Sequence, residues 1–504
     1  MKKISIIIAV CFFGLIQYSC DDFLEIKPKD TVVVSSIEHY RDIMASYMVV
    51  INTPNPSNRQ TSSVFGEGRR LIMDFTSFAP VLAQYTGEVA TDLSKFLDTS
   101  GAISMKGYRT LTWQYSQGNT WSMNYRFIGP LNLIISGIET ATGTDEHLRN
   151  YVQGEAIAWR AYALFKIMQY YAPYKDDNLG IPVHLDPVSD IGNILPKRKT
   201  QREGYAQIID DCNYALSLLA KTPSNNWNCA YRSDFVHAML AAVYAYKAMS
   251  GAAESSDWSN AENHATIAMN GRNLITSSAE LKKLFDANES GVDAAHGGYR
   301  NDEFFIKIMG GNQPNYLFNF LEAYHPLSTN GVNDTSNPEY YNLYSDTDIR
   351  KSVYFQGIAN NKYNINTKQG GSATTSHGLL MPFRLAEMYL IKAEALWRQG
   401  KHGEARSVLE SFVNARYQEP VTLPTNNELL LQEILKERTR EFYQEVDYVW
   451  LDMKRLGLSR TNFVNGETHI LVANDYRYTF PIPLSEIENN KDMIQNPGWD
   501  NLTE

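Results

Sequence analysis

The sequence predicts a mostly α-helical protein, in which tetratricopeptide-like helix pairs form one scaffold with long irregular loops and minor β structure. The clearest observation is an apolar stripe at helical spacing, followed by a glycine turn and a second stripe. These residues are Phe383, Ala386, Leu390, Ala393 and Trp397, then, after Gly400, Ala405, Leu409 and Phe412. A weaker echo runs from Ala241 to Met269. Stacked helix pairs share one continuous core, so the 504 residues are expected to form one scaffold.

The first twenty residues predict an export and lipidation signal. Lys2 and Lys3 precede an apolar run from Ile4 to Ile16, which is shorter than the ~20 residues of a bilayer-spanning helix. Cys20 follows shortly afterwards, so we expect a lipoprotein signal peptide at 1–19, with cleavage before Cys20 and acylation of its thiol. A plain signal peptide with an incidental cysteine is the alternative.

Further along the chain, helical periodicity alternates with long segments rich in Gly, Asn, Ser and Pro. Helices are predicted at Trp121–Thr142, Glu146–Tyr171, Arg202–Lys221 and Glu428–Glu445, and a short strand at Glu303–Ile308. The long loops are Thr53–Arg69, Tyr85–Gln117, Asp176–Lys199, Ala287–Arg300, Gly310–Pro338 and Ala359–Gly378. Loops of this length in a compact protein are usually functional or disordered.

Charge and motif content argue against several classes of protein. The chain has 46 Lys and Arg against 56 Asp and Glu, a net charge of −10. Because nucleic-acid binding depends on basic residues that contact phosphates, no nucleic-acid partner is expected. Motifs typical of zinc proteases, phosphate-binding loops, dinucleotide folds and serine hydrolases do not occur, and no metal or cofactor is expected. In the body of the chain, Cys212 and Cys229 form either two free buried thiols or a disulfide between neighbouring helices.

Two acidic segments are candidates for chemistry. Glu433, Glu437, Glu441 and Glu445 recur every four residues and share one helix face, whereas a glycoside hydrolase needs two carboxylates across a cleft. Basic residues are interleaved with them, which favours a salt-bridged, solvated face over a catalytic pair. The run from Asp176 to Gly180 has oxygen ligands that suit calcium but lacks EF-hand spacing, which favours a polar turn.

Aromatic residues are unusually frequent, with 31 Tyr, 21 Phe and 8 Trp. Those at helical positions, predicted to belong to the frame, are Tyr162, Tyr170, Tyr244, Tyr389, Trp121, Trp159 and Trp397. A sugar ring has an apolar face and a rim of hydroxyls, which rigid aromatics beside polar side chains suit. The loops Tyr85–Gln117 and Tyr299–Tyr324 have this mixture. We therefore predict ligand contacts at Trp113, Tyr299, Tyr316, Tyr85, Tyr115 and Tyr324. For each, the alternative is an aromatic that anchors its loop on the frame.

Several segments of the chain resemble a known family. RLAEMYLIKAEALWRQG (Arg384–Gly400), ILKERTREFYQEVDYVWLDMKRLG (Ile434–Gly457) and PIPLSEIENNKDMIQNPGW (Pro481–Trp499) resemble helices and the closing motif of the RagB/SusD outer-membrane lipoproteins. CDDFLEIKPKD (Cys20–Asp30) is similar to the mature start of that family, and further matches fall in the expected order. The chain thus resembles a SusD-like protein over nearly its whole length.

The resemblance implies a receptor without enzymatic activity. Such proteins are lipid-anchored at the cell surface on the outer membrane, where they cap a SusC-like TonB-dependent transporter and pass it a nutrient, most often an oligosaccharide. It implies one SusD-like domain at 20–504, divided into an N-terminal part at 20–220 and a C-terminal RagB/SusD part at 221–504 with ligand loops. Two alternatives remain open: a transporter lid for a non-glycan nutrient such as a peptide, and a secreted glycoside hydrolase.

Overall fold

The computed structural model of the chain describes residues 34–52, 114–185, 196–221, 232–285, 301–306, 308–313, 341–356, 359–360, 376–380, 383–443, 445, 448–464 and 467–500. Helices account for most of these residues, and the strands among them are short. The predicted fold class, mostly α-helical with minor β structure, is therefore confirmed.

Most of the predicted helices are found close to their predicted positions. The helices are α1 (Ile37–Asn52), α2 (Gln114–Gly137), α3 (Glu146–Tyr171), α4 (Gln201–Leu219), α5 (Ser233–Lys247), α6 (Asp257–Met269), α7 (Ser278–Phe285), α8 (Lys351–Tyr354), α9 (Leu385–Arg398), α10 (His402–Arg416), α11 (Asn427–Glu441), α12 (Tyr448–Leu456) and α13 (Leu484–Asn489). The strands are β1 (Ile308–Gln313), β2 (Phe355–Gln356), β3 (Ala359–Asn360), β4 (Ser376–Leu380), β5 (Arg460–Val464) and β6 (Glu467–Leu471). Helix α3 has its predicted bounds, whereas α2 begins and ends earlier than predicted.

Helix α3 is central to the fold because, after its first six residues, no side of the helix faces solvent. Every residue from Val152 to Tyr171 is buried, and both α2 and α4 pack along the helix. At its start, the carboxylate of Asp145 accepts a hydrogen bond from the N–H of Leu148 at 2.9 Å, which caps the first turn. A helix buried on all sides in this way belongs to the core of a large domain.

Two helix pairs extend the bundle in the manner that the apolar stripes predict. Helix α5 packs against α6, α9 packs against α10, and α6 lies along α9. At the turn after α9, Gly400 has a φ of +79°, a left-handed conformation that glycine adopts readily at a helix end. Helices α6 and α9 both bury small side chains, among them Ala261, Ala265 and Ala393.

The aromatic residues assigned to the frame lie in or against the core. Trp121, Trp159, Tyr162 and Tyr170 are buried, and Tyr244 and Tyr389 are half-buried against the core. Trp397 is half-buried and packs against the core as well, and its Nε1 donates to the carbonyl of Asn427 at 2.7 Å. It lies in the last turn of α9, where the helix reaches the edge of the bundle.

The strands of the described residues form two-stranded antiparallel pairs, β1 with β4, β2 with β3 and β5 with β6. The strand predicted at Glu303–Ile308 is misplaced, because β1 begins only at Ile308. Phe304, Phe305 and Ile306 are all buried. The segment before β1 therefore lies inside the core and does not alternate between core and solvent.

Cys212 is a buried free thiol, as the first of the two cysteine alternatives predicts, and Cys229 lies outside the described residues. In the ranges given above, no helix is long and apolar enough to cross a membrane.

Candidate functional site

The predicted ligand residues lie mostly outside the part of the chain that the structure describes. This holds for Tyr85, Trp113, Tyr299, Tyr316 and Tyr324, and for the predicted lipidation site Cys20. Tyr115 lies in the first turn of α2. The described residues show how the two predicted ligand loops are attached to the frame.

The second predicted loop contains β1 and is attached through a two-stranded ribbon, which we define as β1 paired with β4. The strands are antiparallel, and Gln313 at the end of β1 lies opposite Ser376 at the start of β4. Residues 314–340 follow Gln313 in the chain, and residues 361–375 precede Ser376. Both segments therefore join the ribbon at the same end, which we call the ribbon tip.

The direction of the ribbon tip depends on an irregularity within β1. The register of the pair shifts between Met309 and Asn312, where the sequence contains two consecutive glycines. A bulge of this kind bends a strand and changes the direction of the residues after it. Tyr316 and Tyr324 belong to the segment that comes after β1.

The first predicted loop is attached to the same area of the frame. Helix α1 ends at Asn52 and α2 begins at Gln114, so residues 53–113, with Tyr85 and Trp113, connect these two helices. Helix α1 contacts α2 and also lies against β1. The elements that carry the two predicted loops are therefore neighbours, which a single binding site built from both loops requires.

The other end of the ribbon is anchored in the core through Glu303, which precedes β1. Its carboxylate accepts hydrogen bonds from the N–H of Ile275 at 3.0 Å and from Arg416 Nη2 at 2.6 Å. Its backbone carbonyl accepts a bond from the N–H of Leu385 at 2.8 Å. Because Leu385 follows β4, this last bond joins the roots of the two strands.

Around Glu303 the structure buries a set of ion pairs that we call the root cluster. Its members are Arg350, Arg384, Arg416, Asp348, Glu303, Glu437, Glu441 and Glu445, all of them buried. Arg384 donates to Glu445 at 2.6 Å and to Glu441 at 2.9 Å. Arg416 donates to Glu441 at 3.0 Å, and Arg350 donates to Glu441 at 3.2 Å. Glu441 thus holds together arginines from three different segments of the chain.

The arginines lower the pKa of two buried carboxylates of the root cluster, those of Glu441 and Glu437. Burial alone would raise the pKa of Glu441, but Arg416, Arg384 and Arg350 together outweigh burial and hold that pKa well below its ordinary value. The pKa of Glu437 is lowered in the same way, because Arg350 and a neighbouring arginine overcome the effect of burial. Charges that are paired and hydrogen-bonded like these anchor elements to one another.

The solvated face predicted for α11 is therefore wrong, although its ion pairing is confirmed. Glu433 pairs with Arg440 at 2.8 Å in a half-buried position, as interleaved charges predict. Glu437 and Glu441 instead are buried in the core and pair with arginines from other segments, although Glu437 also pairs with Arg440 of its own helix. Spacing within one helix does not reveal partners that come from other segments.

The acidic run from Asp176 to Gly180 forms a polar turn before α4. Asp176 accepts a hydrogen bond from the N–H of Asn178 at 3.0 Å, and Asp177 accepts one from the N–H of Arg202 at 2.9 Å. Among the residues that the structure describes, no group of three or more His, Cys, Asp or Glu side chains is arranged to hold a metal ion.

The closing motif of the chain is tied to the C-terminal end of α3. Asn496 Nδ2 donates to the carbonyls of Tyr171 and Phe480 at 2.8 and 2.6 Å. Lys454 Nζ donates to the carbonyl of Gln169 at 2.6 Å. The bonds to Gln169 and Tyr171 satisfy carbonyls that the end of α3 leaves without partners within the helix.

Sequence reasoning missed the residues that anchor the ribbon, above all Arg384 and Arg416. The available signal is that each adjoins an apolar helical stripe, Arg384 directly after Phe383 and Arg416 in the last turn of α10. An arginine at such a position is unusual, because charged side chains are rarely fully buried unless they are paired.

Two family models match the chain. The model described as the SusD family matches residues 241–499, which is more than half of the chain. The model described as starch-binding associating with outer membrane matches residues 22–249. The starch-binding protein SusD of Bacteroides thetaiotaomicron is 37% identical over 123 residues, covering 23% of this chain and 21% of that protein. The match thus spans about a fifth of the length of that relative.

Solved structures share the fold over nearly the whole chain. A putative sugar-binding protein from Bacteroides vulgatus has a TM-score of 0.66 at 20% identity, covering 93% of this chain and 100% of that one. A SusD-like protein from Bacteroides fragilis has a TM-score of 0.64 at 14% identity, covering 94% and 99%. At these identities the likeness concerns the fold.

Proposed function

Because this chain belongs to the SusD family, we propose that it binds a glycan at the bacterial outer membrane and is not an enzyme. We further propose that it is lipid-anchored through Cys20, exposed at the cell surface, and delivers an oligosaccharide to a SusC-like TonB-dependent transporter. The observation that carries the proposal is the match of the SusD family to residues 241–499. The starch-binding descriptions of a second family model and of one relative support a glycan as the ligand class.

The placement of the loop attachments also supports a single binding site. Helix α1 lies against β1 and contacts α2, so the two predicted aromatic loops start from adjacent parts of the frame. The ribbon is anchored by buried ion pairs at the end opposite its tip. Sites supported by rigid elements hold their contacting groups in place more precisely than free loops do.

The chemistry of the predicted loops suits a sugar. Trp113 and Tyr115 flank Gln114, and Tyr316 follows Asn312, Gln313 and Asn315 within a few residues. Flat aromatic rings cover the apolar face of a sugar ring, while neighbouring amides can bond its hydroxyls. Their contact with a ligand remains a prediction.

The direct test is isothermal titration calorimetry of the mature protein against soluble starch and a panel of other soluble polysaccharides. We expect binding to at least one of them, and we expect Trp113→Ala and Tyr316→Ala to weaken it about tenfold or more, a change of ~1.4 kcal/mol. Loss of a stacking ring removes its apolar contact with the sugar, so the effect should fall on affinity.

The matched control for these variants is Tyr214→Ala. Tyr214 lies on α4 with 46% of its surface exposed and belongs to neither predicted loop. The Tyr214→Ala variant should leave the affinity for the polysaccharide unchanged. No binding to any polysaccharide class would contradict the proposed ligand, and unchanged affinity in both loop variants would remove those residues from the site.

The transporter and anchor are tested in the native bacterium. Affinity purification of the tagged protein should recover a TonB-dependent transporter, and Cys20→Ala should move the protein out of the membrane fraction. Recovery of the transporter without glycan binding would favour a lid for a non-glycan nutrient. Release of new reducing ends from a polysaccharide would instead favour a hydrolase.

A further inference from the structure

The turn that connects the ribbon to α9 has an unusual backbone conformation. Phe383 lies between the end of β4 and the start of α9 and has a φ of +57°. A bulky side chain in this left-handed region is strained, and such a conformation persists only where its surroundings fix it. Contacts on both the side chain and the backbone fix it here.

The ring of Phe383 is enclosed by aromatic residues of the frame. Its centroid lies 5.7 Å from that of Phe235 on α5, and 5.8 and 6.4 Å from those of Tyr162 and Phe165 on α3. The N–H of Phe383 donates to the hydroxyl of Tyr448 at 3.0 Å. Both the side chain and the backbone of this residue are therefore held.

The next two residues are fixed by the root of the ribbon. Arg384 is fully buried among the carboxylates of the root cluster, and the N–H of Leu385 donates to the carbonyl of Glu303. Three consecutive residues are thus held by three different partners, which leaves the turn little freedom. Residues 381 and 382 lead from the end of β4 to Phe383, so the backbone torsions of Phe383 set the direction in which the chain turns from the ribbon into α9.

We infer that Phe383 is a positioning residue, whose left-handed turn fixes the direction in which the ribbon leaves the frame. Because Gln313 and Ser376 are paired at the ribbon tip, the direction of the ribbon sets the points at which the two adjoining segments of the chain begin. The consequence for a ligand rests on the proposed glycan binding, whereas the consequence for the ribbon does not. Phe383 itself is buried and needs no contact with the ligand.

The test compares Phe383→Ala with Phe235→Ala in the full mature chain by hydrogen exchange and mass spectrometry. The two rings contact each other, so each variant removes one side of the same packing, but Phe235 lies in a helix. We expect amide exchange in 308–313 and 376–380 to become about tenfold faster or more in Phe383→Ala. In Phe235→Ala it should stay within about twofold of wild type. Equal acceleration in both would overturn the inference.

A second variant separates the backbone from the side chain. Phe383→Gly loses the same packing, yet glycine adopts a positive φ without strain. We expect ribbon exchange in Phe383→Gly to lie between wild type and Phe383→Ala. If Phe383→Ala does not fold, Phe383→Leu replaces it, because leucine keeps an apolar side chain and the same backbone strain. Exchange at the wild-type rate in the variant used would also overturn the inference.

The consequence for the ligand is measured as affinity for soluble starch, or for whichever polysaccharide the wild type binds. Phe383→Ala should bind about tenfold more weakly than Phe235→Ala, at a similar thermal midpoint. Unchanged affinity with a loosened ribbon would overturn the link between ribbon direction and binding. If the wild type binds no polysaccharide, the proposed function fails, while hydrogen exchange still decides the role of Phe383.

Discussion

The bundle around α3 and the root cluster beneath the ribbon are both buried, but different forces hold them together. Around α3 most contacts are apolar and aromatic; the ring centroids of Trp159 and Tyr162, for example, lie 5.7 Å apart. One buried ion pair joins Arg160 Nη2 to Asp211 Oδ1 at 2.7 Å. In the root cluster, carboxylates and guanidinium groups occupy positions that apolar side chains would fill elsewhere, and Arg384 is fully buried.

The two kinds of burial have different consequences for structure. Apolar burial is non-directional and stabilises roughly in proportion to area, at about 25 cal/mol per Å². A buried ion pair contributes little net stability, yet removing one partner leaves a charge without compensation. We therefore expect the bundle to provide most of the stability, and the root cluster to fix a single arrangement of the ribbon on the frame.

The largest expected effect comes from removing the charge at the centre of the root cluster. Glu441→Gln leaves three arginines facing a neutral amide, because Glu441 accepts hydrogen bonds from Arg350, Arg384 and Arg416. We expect the free energy of unfolding, measured in urea, to fall by about 3–5 kcal/mol. The control is Glu404→Gln, an exposed position of α10, which should change it by less than about 0.5 kcal/mol. An equal effect in both variants would contradict a special role for the cluster.

Acid should affect the root cluster before it affects α3. Burial would raise the pKa values of Glu441 and Glu437, but the arginines outweigh burial and lower both. Because the unfolded pKa of Glu is about 4.3, this stability is fully present above that pH and is lost as the pH falls through the folded values. We expect the β1 and β4 amides to lose protection from hydrogen exchange below about pH 4.3. The α3 amides should lose it only at a lower pH. Simultaneous loss would contradict the distinction between the two regions.

An opposite pH dependence is expected inside the bundle, at Glu155 of α3. Its carboxyl is buried, Oε1 has no hydrogen-bond partner in the described part of the chain, and burial raises its pKa to about 8. The folded state therefore keeps a proton that the unfolded state releases above about pH 4.3, so stability falls as the pH rises toward 8. Glu155→Gln cannot ionise and should stabilise the protein at pH 8 by roughly 1–3 kcal/mol relative to wild type.

The measurement for Glu155→Gln is urea unfolding at pH 5 and pH 8, with Glu146→Gln in the exposed first turn of α3 as the control. The difference between Glu155→Gln and wild type should grow with pH. A difference that is constant or that shrinks as the pH rises would show that Glu155 is ionised in the folded protein.

The smallest expected effect concerns the start of α3. Asp145→Ala removes the side-chain acceptor for the N–H of Leu148, and loss of such a cap costs about 1 kcal/mol. The lower free energy of unfolding should appear in urea unfolding of the whole protein. Hydrogen exchange of the ribbon amides should not accelerate more than that of the rest of the chain. Asp145→Asn keeps the capping oxygen and should retain most of the stability. A selective loosening of the ribbon would contradict the separation of the two regions.

Local signals were sufficient to predict much of the frame. Helix α3 has its predicted bounds because its cap and its apolar residues are contiguous in sequence. The start of β1 was predicted too early, since consecutive buried residues from Phe304 to Ile306 look like part of a strand when only the sequence is known. The pairing within the root cluster could not be predicted because its partners come from distant segments of the chain: Arg350 and Glu441 are 91 residues apart. The ligand contacts remain predictions, because all of the predicted aromatic residues except Tyr115 lie outside the described residues.

The antiparallel pairing at the ribbon tip has a consequence for how such a protein can be altered. Gln313 and Ser376 are cross-strand partners, so the spacing of the two chain ends is set by backbone pairing and not by the identity of the residues beyond them. Changes in loop length cost little entropy, and the anchoring charges lie at the other end of the strands. If the proposed function holds, exchanging 314–340 and 361–375 together for those of a relative should transfer ligand preference while the recipient keeps its own fold.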